Sequence, residues 1–521
     1  MSYYTQLFYA TLPETVLEIA ALLVLVVDLG FLRTAELKAR ALSASSLGVL
    51  GCAVALWAEI WTLGSKGVLG FGIADTNSVL LANTGSAGAA QAGILVLTAL
   101  TLLLLIDSRF TRHVGEFVAV VLMSAAGGLL ISAAQDLLII FLGLELLSLG
   151  LYILTAFAKQ SGRSAESAMK YYLFGGMSAA FLLFGFSYLY GITGSTNLDH
   201  VMQAIHHSNG PTVDPLLLVA LVMIAAGLGF KIAAVPFHLW APDTYEGAPA
   251  PAAAFIASVS KVASFALLIS IGAAGAHSLE AWNSPHEGFT GPWTVALAVM
   301  SLASMLFGNL AALAQVSVRR LLAYSAIAHA GYILLALAYF RTDAPAQFQG
   351  AAHSQGAAAV LYYILTYGLT TIGAFGVVGV VERATGSDRM DAFLGLHKRN
   401  PLLAAVLLIL FLSLAGIPPL VGFWAKFNLF AVVLSVGAGR LPFALVALAV
   451  AMSAVSLYYY LQVLKRAFVM PAVDDPAGRA EKVSAHPVTV LLLVAIAAAV
   501  VVMGCFPALL QGWITGFYLK P

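Results

Sequence analysis

Charged residues are scarce in this chain of 521 residues. Asp, Glu, Lys and Arg make up 9% of the sequence, whereas hydrophobic residues make up 61%. Soluble domains carry roughly 25% charged residues, so this composition excludes a soluble enzyme. The hydrocarbon core of a bilayer is about 30 Å thick, and an α-helix needs roughly 20 apolar residues to cross it. The composition therefore favours a helical protein that crosses a membrane many times.

Cysteine is scarcer still, and nucleotide-binding motifs are missing. The two cysteines, Cys52 and Cys505, lie in apolar stretches without a CxxC or Cys/His grouping. That pattern leaves no ligand set for zinc, an attached haem or an iron–sulfur cluster. The sequence also lacks a P-loop and a G-x-G-x-x-G segment opening a soluble fold. We therefore predict no NADH or ATP site on this chain. The formal charge of +1 also gives no reason to expect nucleic acid as a partner.

Fourteen hydrophobic segments are long enough to cross a bilayer. They are residues 12–32, 42–63, 88–106, 116–133, 137–157, 166–190, 215–242, 248–275, 291–313, 321–340, 356–382, 401–436, 441–464 and 487–515. Loops that follow odd-numbered segments carry 17 Lys or Arg residues, whereas the opposite loops and the C-terminus carry four. Because cytoplasmic loops collect Lys and Arg, both termini are predicted to face the outer side.

Two segments are too long and too interrupted to be straight helices. Residues 401–436 would form a helix of about 54 Å, but Pro418 and Pro419 lie in its middle. Residues 215–242 are also long and contain Pro236. Proline cannot continue a helix without a kink or a break. Interrupted helices at corresponding places in two halves indicate inverted repeats around a transport path.

The predicted fold is therefore an all-α polytopic membrane protein of about fourteen transmembrane helices, with two inverted five-helix repeats that each contain a broken helix. Segments four to eight and nine to thirteen would form the repeats. The predicted regions are 1–115 (three N-terminal helices), 116–275 (first repeat), 291–464 (second repeat) and 487–521 (C-terminal helix). We expect the connecting stretches 191–214 and 276–290 to be extended.

Four ionisable residues, Glu145, Lys231, Lys261 and Lys426, lie deep inside predicted segments. Each charge at a helix centre costs about 2.5–3.5 kcal/mol on insertion scales, so these groups need partners or a function. Lys261 is too central for its side chain to reach the headgroups. A carboxylate near a buried lysine can control the protonation of that lysine. We therefore predict a proton relay, and the alternative is an inert ion pair that fixes helix register.

Other polar residues inside the segments leave two interpretations open. Lys170 is close to the start of its segment, so it fits either a functional role or a surface anchor. His238 and His329 could each pass a proton or satisfy a backbone carbonyl. A solvated or capping role is expected for the acidic residues nearer helix ends, which are Glu14, Glu18, Asp28 and Glu59.

Three long motifs carry a family resemblance. They are GFKIAAVPFHLWAPDTYEGAP at 229–249, RRLLAYSAIAHAGY at 319–332 and SLAGIPPLVGFWAKFNLF at 413–430. These motifs resemble the proton-pumping, antiporter-like membrane subunits of respiratory complex I. The VPFHLWAPDTYEGAP stretch is similar to the subunit N family of NADH-quinone oxidoreductase, and the resemblance covers roughly residues 100–470.

The resemblance implies site residues, cofactors and partners. Glu145, Lys231, Lys261 and Lys426 match the family's relay residues, and Lys170 matches a lysine of its sixth helix. NADH, FMN, iron–sulfur clusters and quinone would bind to partner subunits, and no cofactor would bind to this chain. The partners would be paralogous antiporter-like subunits, small membrane subunits and, through them, the peripheral arm. The expected location is the bacterial inner (plasma) membrane.

Two rival functions remain at this point. A subunit of a multisubunit cation/proton antiporter is built on the same helical unit and needs no redox partner, although its match at YEGAP is poorer. A redox-inert membrane scaffold would use the buried pairs only to hold helices together. Copurification with flavin and iron–sulfur proteins would separate the first rival from the oxidoreductase, and loss of transport on neutralising Lys261 would exclude the second.

Overall fold

Long apolar runs form helices here because a helix satisfies its backbone N–H and C=O groups internally, as lipid requires. The computed structural model describes residues 3–66, 70–73, 78–83, 85–207, 214–279, 292–339, 349–436, 440–471 and 482–518. The first elements are α1 Tyr3–Ala10, α2 Leu12–Val26, α3 Leu37–Lys66, β1 Gly70–Ile73, β2 Ser78–Ala82, α4 Gly85–Leu105, α5 Val114–Ala133, α6 Leu137–Thr155 and α7 Gly162–Thr193. A π-helical turn, Val27–Phe31, continues α2, and β1 pairs antiparallel with β2.

The rest of the chain is also helical. Its middle part contains α8 Leu198–His207, α9 Pro215–Ile232, α10 Trp240–Gly247, α11 Ala250–Ala257, α12 Val259–Leu279, α13 Pro292–Leu313 and α14 Val318–Ala338. The last part contains α15 Gln349–Thr385, a 3₁₀ turn Met390–Phe393, α16 Leu396–Arg399, α17 Pro401–Ala415, α18 Val421–Val436, α19 Arg440–Phe468, α20 Pro487–Cys505 and α21 Ala508–Tyr518.

The predicted polytopic helical fold is confirmed. Within the described residues, twelve helices are long and apolar enough to cross a bilayer, and the bent pair at the N-terminus, with an angle of 70°, gives a thirteenth span. Two shorter apolar helices, Pro401–Ala415 and Val421–Ser435, occupy the predicted twelfth segment. Every segment proposed from the sequence thus contains helix.

Both predicted helix breaks are present, and they have the same local structure. Residues 233–239 separate α9 from α10, and residues 416–420 separate α17 from α18. The first residue after each leading half-helix is left-handed, with φ of 57° at Ala233 and 89° at Gly416. A left-handed residue at this position ends a helix. The two broken helices therefore end their first halves in the same way.

Two further breaks differ from the prediction, which made segments eight and fourteen continuous. The eighth segment is divided at Ser258, where φ is −114° and ψ is −76°. Its hydroxyl donates to the carbonyl of Ala254 at 2.6 Å, an interaction that often bends a helix. The fourteenth segment is divided at Phe506, because Pro507 disfavours helical geometry in the residue before it. The first of these breaks lies three residues before Lys261.

The stretch 191–214 is not extended as predicted, because it contains α8. Leu198, Val201 and Ile205 are buried, and this spacing places them on one helix face. Asn197 caps the helix by accepting a hydrogen bond from the backbone N–H of His200 at 3.2 Å. In the second predicted loop, residues 276–279 belong to α12. Residues 208–213 and 280–290 of these loops lie outside the described ranges.

Three acidic residues near helix ends are buried, so the expectation of solvated positions was wrong for them. Glu14, Asp28 and Glu59 are 7%, 1% and 0% exposed, whereas Glu18 is exposed. Asp28 accepts two hydrogen bonds from Arg40, at 2.7 and 2.6 Å. Distance from a helix end did not reveal which face each residue occupies. Glu14 of α2 and Asp28 of the π-helical turn that follows both face inward.

Candidate functional site

The end of α9 approaches one turn of α6. Glu145 and Ser148 are three residues apart on α6, so they lie on the same helix face. The ammonium of Lys231 donates to the Ser148 hydroxyl at 2.6 Å, and a Glu145 carboxylate oxygen lies 3.8 Å from the same nitrogen. The Lys231 side chain is 7% exposed and that of Glu145 is 27% exposed. The predicted pair is therefore brought together, with a serine that sequence reasoning missed.

The C-terminus of α9 leaves two carbonyl groups without partners in the helix. The backbone N–H of Ala234 donates to the carbonyl of Gly229 at 2.8 Å, and that of Ala233 donates to Phe230 at 3.0 Å. This is the Schellman arrangement, which here satisfies the fourth- and third-last carbonyls of the helix and leaves those of Lys231 and Ile232. The final carbonyl, that of Ile232, points out of the helix and can accept from another element.

Lys261 binds the final carbonyl of α9. Its ammonium donates to the Ile232 oxygen, and the residue is 2% exposed. The nitrogen also lies 6.0 Å from the ring centroid of Trp240, whose indole N–H donates to Phe230 at 2.9 Å. A cation is favourable at the negative end of a helix and over an aromatic face. Because Ile232 directly follows Lys231, Lys261 contacts the same turn of α9 that carries Lys231.

The end of α17 repeats the same arrangement. The backbone N–H of Ile417 donates to Leu412 at 3.0 Å, and that of Gly416 donates to Ser413 at 2.9 Å. The last two carbonyls of α17, those of Leu414 and Ala415, are again left for another element. Thus both broken helices present free carbonyl oxygens at their breaks.

Lys426 on α18 occupies the end of α17. Its ammonium donates to the carbonyls of Leu414 at 3.1 Å and Ala415 at 2.8 Å, and to the hydroxyl of Ser453 on α19 at 2.7 Å. The nitrogen lies 5.4 Å from the ring centroid of Tyr332. Lys261 and Lys426 therefore have similar environments, because each donates to a backbone carbonyl at the buried C-terminus of the first half of a broken helix.

His329 lies between aromatic residues near Lys426. Its Nδ1 is 2.7 Å from the hydroxyl of Tyr363, and its ring centroid is 4.7 Å from that of Tyr367. Its buried Nε2 has no hydrogen-bond partner within the described residues. A cavity of about 10 Å³ is lined by His329 and by Ser413 and Leu414 at the end of α17. That volume is close to the space that one water molecule needs.

The other two predicted site residues do not join this group. The ring of His238 packs against that of Phe307 at 4.6 Å, and its Nδ1 lacks a hydrogen-bond partner within the described part of the chain. The Lys170 side chain is 43% exposed and pairs with Glu166 at 2.7 Å and Asp243 at 2.9 Å. Lys170 therefore belongs to a surface ion cluster rather than to the buried lysines.

Asp243 is the centre of that ion cluster. It accepts from Lys170 at 2.9 Å and from Arg320 at 2.5 Å, and Arg320 also pairs with Glu246 at 3.0 Å. Partial burial raises the pKa of the Asp243 carboxyl, but the hydrogen bonds from Lys170 and Arg320 lower it more, so the pKa lies below its ordinary value. The cluster fixes α10, which carries Trp240, to α7 and α14.

A cleft of about 400 Å³ with several charged residues in its walls lies beside α11. Its walls carry three ion pairs: Arg383 with Asp107 at 2.7 Å, Arg319 with Glu382 at 3.3 Å, and Arg163 with Glu246 at 3.6 Å. Ala250 and Pro251, at the start of α11, also line it. Arg109, Arg163, Arg319 and Arg383 of the predicted basic loops all line the cleft, so it lies on the side of those loops.

Comparisons with known proteins agree with this architecture. A family model described as NADH:quinone oxidoreductase/Mrp antiporter, TM, matches residues 134–453. NADH-quinone oxidoreductase subunit N 2 of Acidobacterium capsulatum is 46% identical over 98% of this chain and 99% of the relative. A chain of respiratory complex I from Thermus thermophilus matches with a TM-score of 0.74 and 32% identity, over 96% of this chain and 98% of that one.

A chain of the Mrp complex from Dietzia sp. DQ12-45-1b also matches, with a TM-score of 0.78 over 98% of this chain and 96% of that chain. The identity is 20%, so this likeness shows the fold alone. The residues covered by the family model include Glu145, Lys231, Lys261 and Lys426.

Proposed function

Since this chain belongs to the subunit N family of NADH-quinone oxidoreductase, we propose that it conducts protons across the membrane through a buried relay of Glu145, Lys231, Lys261 and Lys426. The observation that carries the proposal is the pairing of two buried lysines with the free carbonyl ends of two broken helices. Ionisable groups inside a membrane usually mark a conduction path. Interrupted helices at corresponding places in the two halves of a transporter also mark the conduction path.

The Glu145–Lys231 pair acts as a switch. In the structure Lys231 donates to Ser148 at 2.6 Å while Glu145 is 3.8 Å away, so the lysine has two alternative partners. Closure of the ion pair stabilises the charged lysine, and opening favours its neutral form. Because Lys261 contacts the residue after Lys231, a change in the pair alters the electrostatic potential at Lys261. Protonation of Lys261 thus depends on the state of the pair.

Protons reach the relay from the side of the basic loops. The cleft of about 400 Å³, which has charged residues in its walls, lies next to α11, and α11 leads to Lys261 on α12. From Lys261 the proton passes towards Lys426 by way of His329, which lies within electrostatic reach of Lys426. Its free Nε2 and the adjacent cavity of about 10 Å³ allow one water to bridge towards the end of α17.

The remaining parts of the proposal concern the complex. Electrons pass from NADH through FMN and iron–sulfur centres to quinone on partner subunits, and this chain contributes the membrane path. Paralogous membrane subunits flank it, and the peripheral arm connects through them. The complex lies in the bacterial inner membrane with both termini of this chain outside. Residues 116–275 and 291–464 form the two inverted repeats, which is supported by the matching helix ends at Ala233 and Gly416.

Purification separates this function from that of a cation/proton antiporter. An affinity-tagged chain is expected to copurify with flavin and iron–sulfur subunits and to give NADH-driven proton uptake in liposomes that an uncoupler abolishes. An antiporter subunit would copurify without flavin, and it would exchange cations for protons in liposomes without NADH. Recovery of the second result alone would contradict the proposal.

Gly416→Ala is expected to impair proton pumping more than Gly386→Ala does. Both glycines are left-handed, with φ of 89° and 71°, and a side chain there costs about 1–2 kcal/mol. A Cβ on Gly416 would lie 3.0 Å from the Lys426 Cδ and 3.2 Å from its Nζ, whereas a Cβ on Gly386 meets nothing within 4 Å. The measurement is pumping per NADH oxidised, and equal values in the two variants would contradict the role of Lys426.

A further inference from the structure

Two buried acidic side chains of the N-terminal helices take no part in the relay. Glu14, in the first turn of α2, and Glu59, near the end of α3, are both buried and lie within electrostatic reach of each other. The Oε2 atom of Glu14 and both carboxylate oxygens of Glu59 have no hydrogen-bond partner within the described residues, and no cation there acts on either carboxyl. Two ionised carboxylates in such surroundings would be costly.

A third polar side chain faces this pair from α4. Gly48 of α3 packs so closely on the neighbouring helices that a Cβ there would lie 2.8 Å from Leu102 of α4 and 2.9 Å from Val118 of α5. Three helical turns bring a chain back to the same face. Glu59 lies three turns after Gly48, and Gln91 lies three turns before Leu102 on the oppositely directed α4. Glu59 and Gln91 are therefore at one level on facing helix surfaces.

The hydrogen bonds around Gln91 support this register. Its amide N–H donates to the carbonyl of Leu129 at 3.2 Å, and Leu129 lies three turns after Val118 on α5. Gln91 is 0% exposed, and its side-chain oxygen has no partner in the part of the chain that the structure describes. The nearby Thr62 hydroxyl donates to the backbone carbonyl of Glu59 at 2.9 Å. The oxygens of the two carboxyls and of Gln91 are thus acceptors that lack a donor.

We propose that Glu14 and Glu59 form a proton-binding site beside Gln91, separate from the relay. A proton that adds to one carboxylate oxygen forms an O–H donor, which the unpartnered acceptors around it lack. It also removes one of two like charges, so the bound proton stabilises the packing of α2 on α3, and its loss leaves two carboxylates that repel each other. The site lies outside residues 134–453, which the family model matches.

Other titratable groups on the surrounding elements lie away from the pair or carry no positive charge. α4 has no titratable residue, α5 has Glu116 in its first turn, at the opposite end, and α1 carries tyrosines but no charged side chain. Glu18 of α2 is exposed. Asp28, in the π-helical turn at the other end of α2, is paired with Arg40 at 2.6 Å. The described neighbours therefore supply no cation that could take the place of the proton.

Carbodiimide labelling of the purified, assembled complex tests the site. Dicyclohexylcarbodiimide is lipophilic and adds to protonated carboxyls, and peptide mass spectrometry locates the adduct. We expect an adduct on Glu14 or Glu59 at neutral pH, and we expect the labelling to decline as the pH rises. Asp28 is the matched control, because it is 1% exposed but ion-paired, so it should stay unlabelled. Protection of the pair by sodium ions at constant pH would mean that the site holds a metal cation, and it would overturn the inference.

Infrared spectroscopy gives a second readout that does not depend on access of the reagent. The wild type should show the C=O stretch of a protonated carboxyl, shifted in D2O, that the double variant Glu14→Gln, Glu59→Gln lacks. The absence of this band from the difference spectrum would overturn the inference whether or not the pair is labelled. The Tm of the wild type relative to the double variant should fall from neutral to alkaline pH, because the folded site binds a proton. A difference in Tm that is the same at every pH would contradict the proposal.

Discussion

Replacement of Lys261 by methionine is expected to abolish proton conduction through this subunit while leaving NADH oxidation by the uncoupled complex in place. Lys261 is 2% exposed and holds the final carbonyl of α9. Methionine fills similar space but cannot carry a proton. Groups that transfer protons in enzymes contribute about 10²–10⁴-fold, so conduction should fall by at least about 100-fold. Proton uptake per NADH oxidised in liposomes measures the effect.

Two further variants separate proton transfer from packing. Lys261→Arg keeps a positive charge at the end of α9, but an arginine does not lose its proton in proteins, so pumping should stay lost. Lys465→Ala removes an exposed lysine of α19 and should change nothing. Lys261→Met also leaves the Ile232 carbonyl unpartnered, which costs about 1–3 kcal/mol, so assembly must be checked. A well-assembled Lys261→Met complex with full pumping would rule out the relay and favour the scaffold.

The sequence predicted the breaks well because proline is a local signal. Pro236 and Pro418 interrupt apolar runs that are otherwise helical, and both breaks are present. It also predicted which lysines are buried, since hydropathy alone locates a charge within a segment. The break at Ser258 had no such signal, because serine occurs within many helices and the local geometry depends on the packing of neighbours.

The partners of the lysines could not be predicted. Lys261 and Lys426 bind backbone carbonyls, and a carbonyl lacks a partner within its own helix only in the last turn. Gly416 is a common residue for that motif, but Ala233 is not, since a left-handed residue is usually glycine. Ser148 could have been found, because it lies one turn from Glu145. Ser453 could not, because no sequence spacing relates it to Lys426.

The burial of Glu59 also could not be predicted from the sequence. Its position near the end of α3 predicted solvent exposure, yet it is 0% exposed and its carboxylate oxygens have no hydrogen-bond partner within the described residues. Helix packing, rather than distance from the helix end, decides the environment of such a residue. Sequence patterns therefore located the elements and the deep charges, whereas the three-dimensional structure was needed for the contacts between helices.

The second large effect is expected at the Glu145–Lys231 pair. Glu145→Gln and Lys231→Met should each remove proton pumping, because without one of the two charges the ion pair can no longer alternate between its closed and open states. The single variants should also lower stability, since leaving one partner of a buried ion pair alone costs about 3–5 kcal/mol. The 27% exposure of the Glu145 side chain should reduce that cost for Lys231→Met in particular, because the remaining carboxylate can be hydrated.

The double variant distinguishes a switch from an inert pair that fixes helix register. In an inert pair, Glu145→Gln combined with Lys231→Met removes both charges, so it should restore stability and leave pumping unaffected. In a switch, the double variant should recover stability but pump no better than either single variant, since residues that act as one unit show non-additive effects. Thermal unfolding of the assembled complex measures stability, and proton uptake per NADH oxidised measures pumping.

The serine beside the pair gives one more test. Because Lys231 also donates to Ser148 at 2.6 Å, Ser148→Ala should shift the lysine towards Glu145 and keep the pair closed. Pumping, measured as proton uptake per NADH oxidised, should then slow without a loss of stability of the pair.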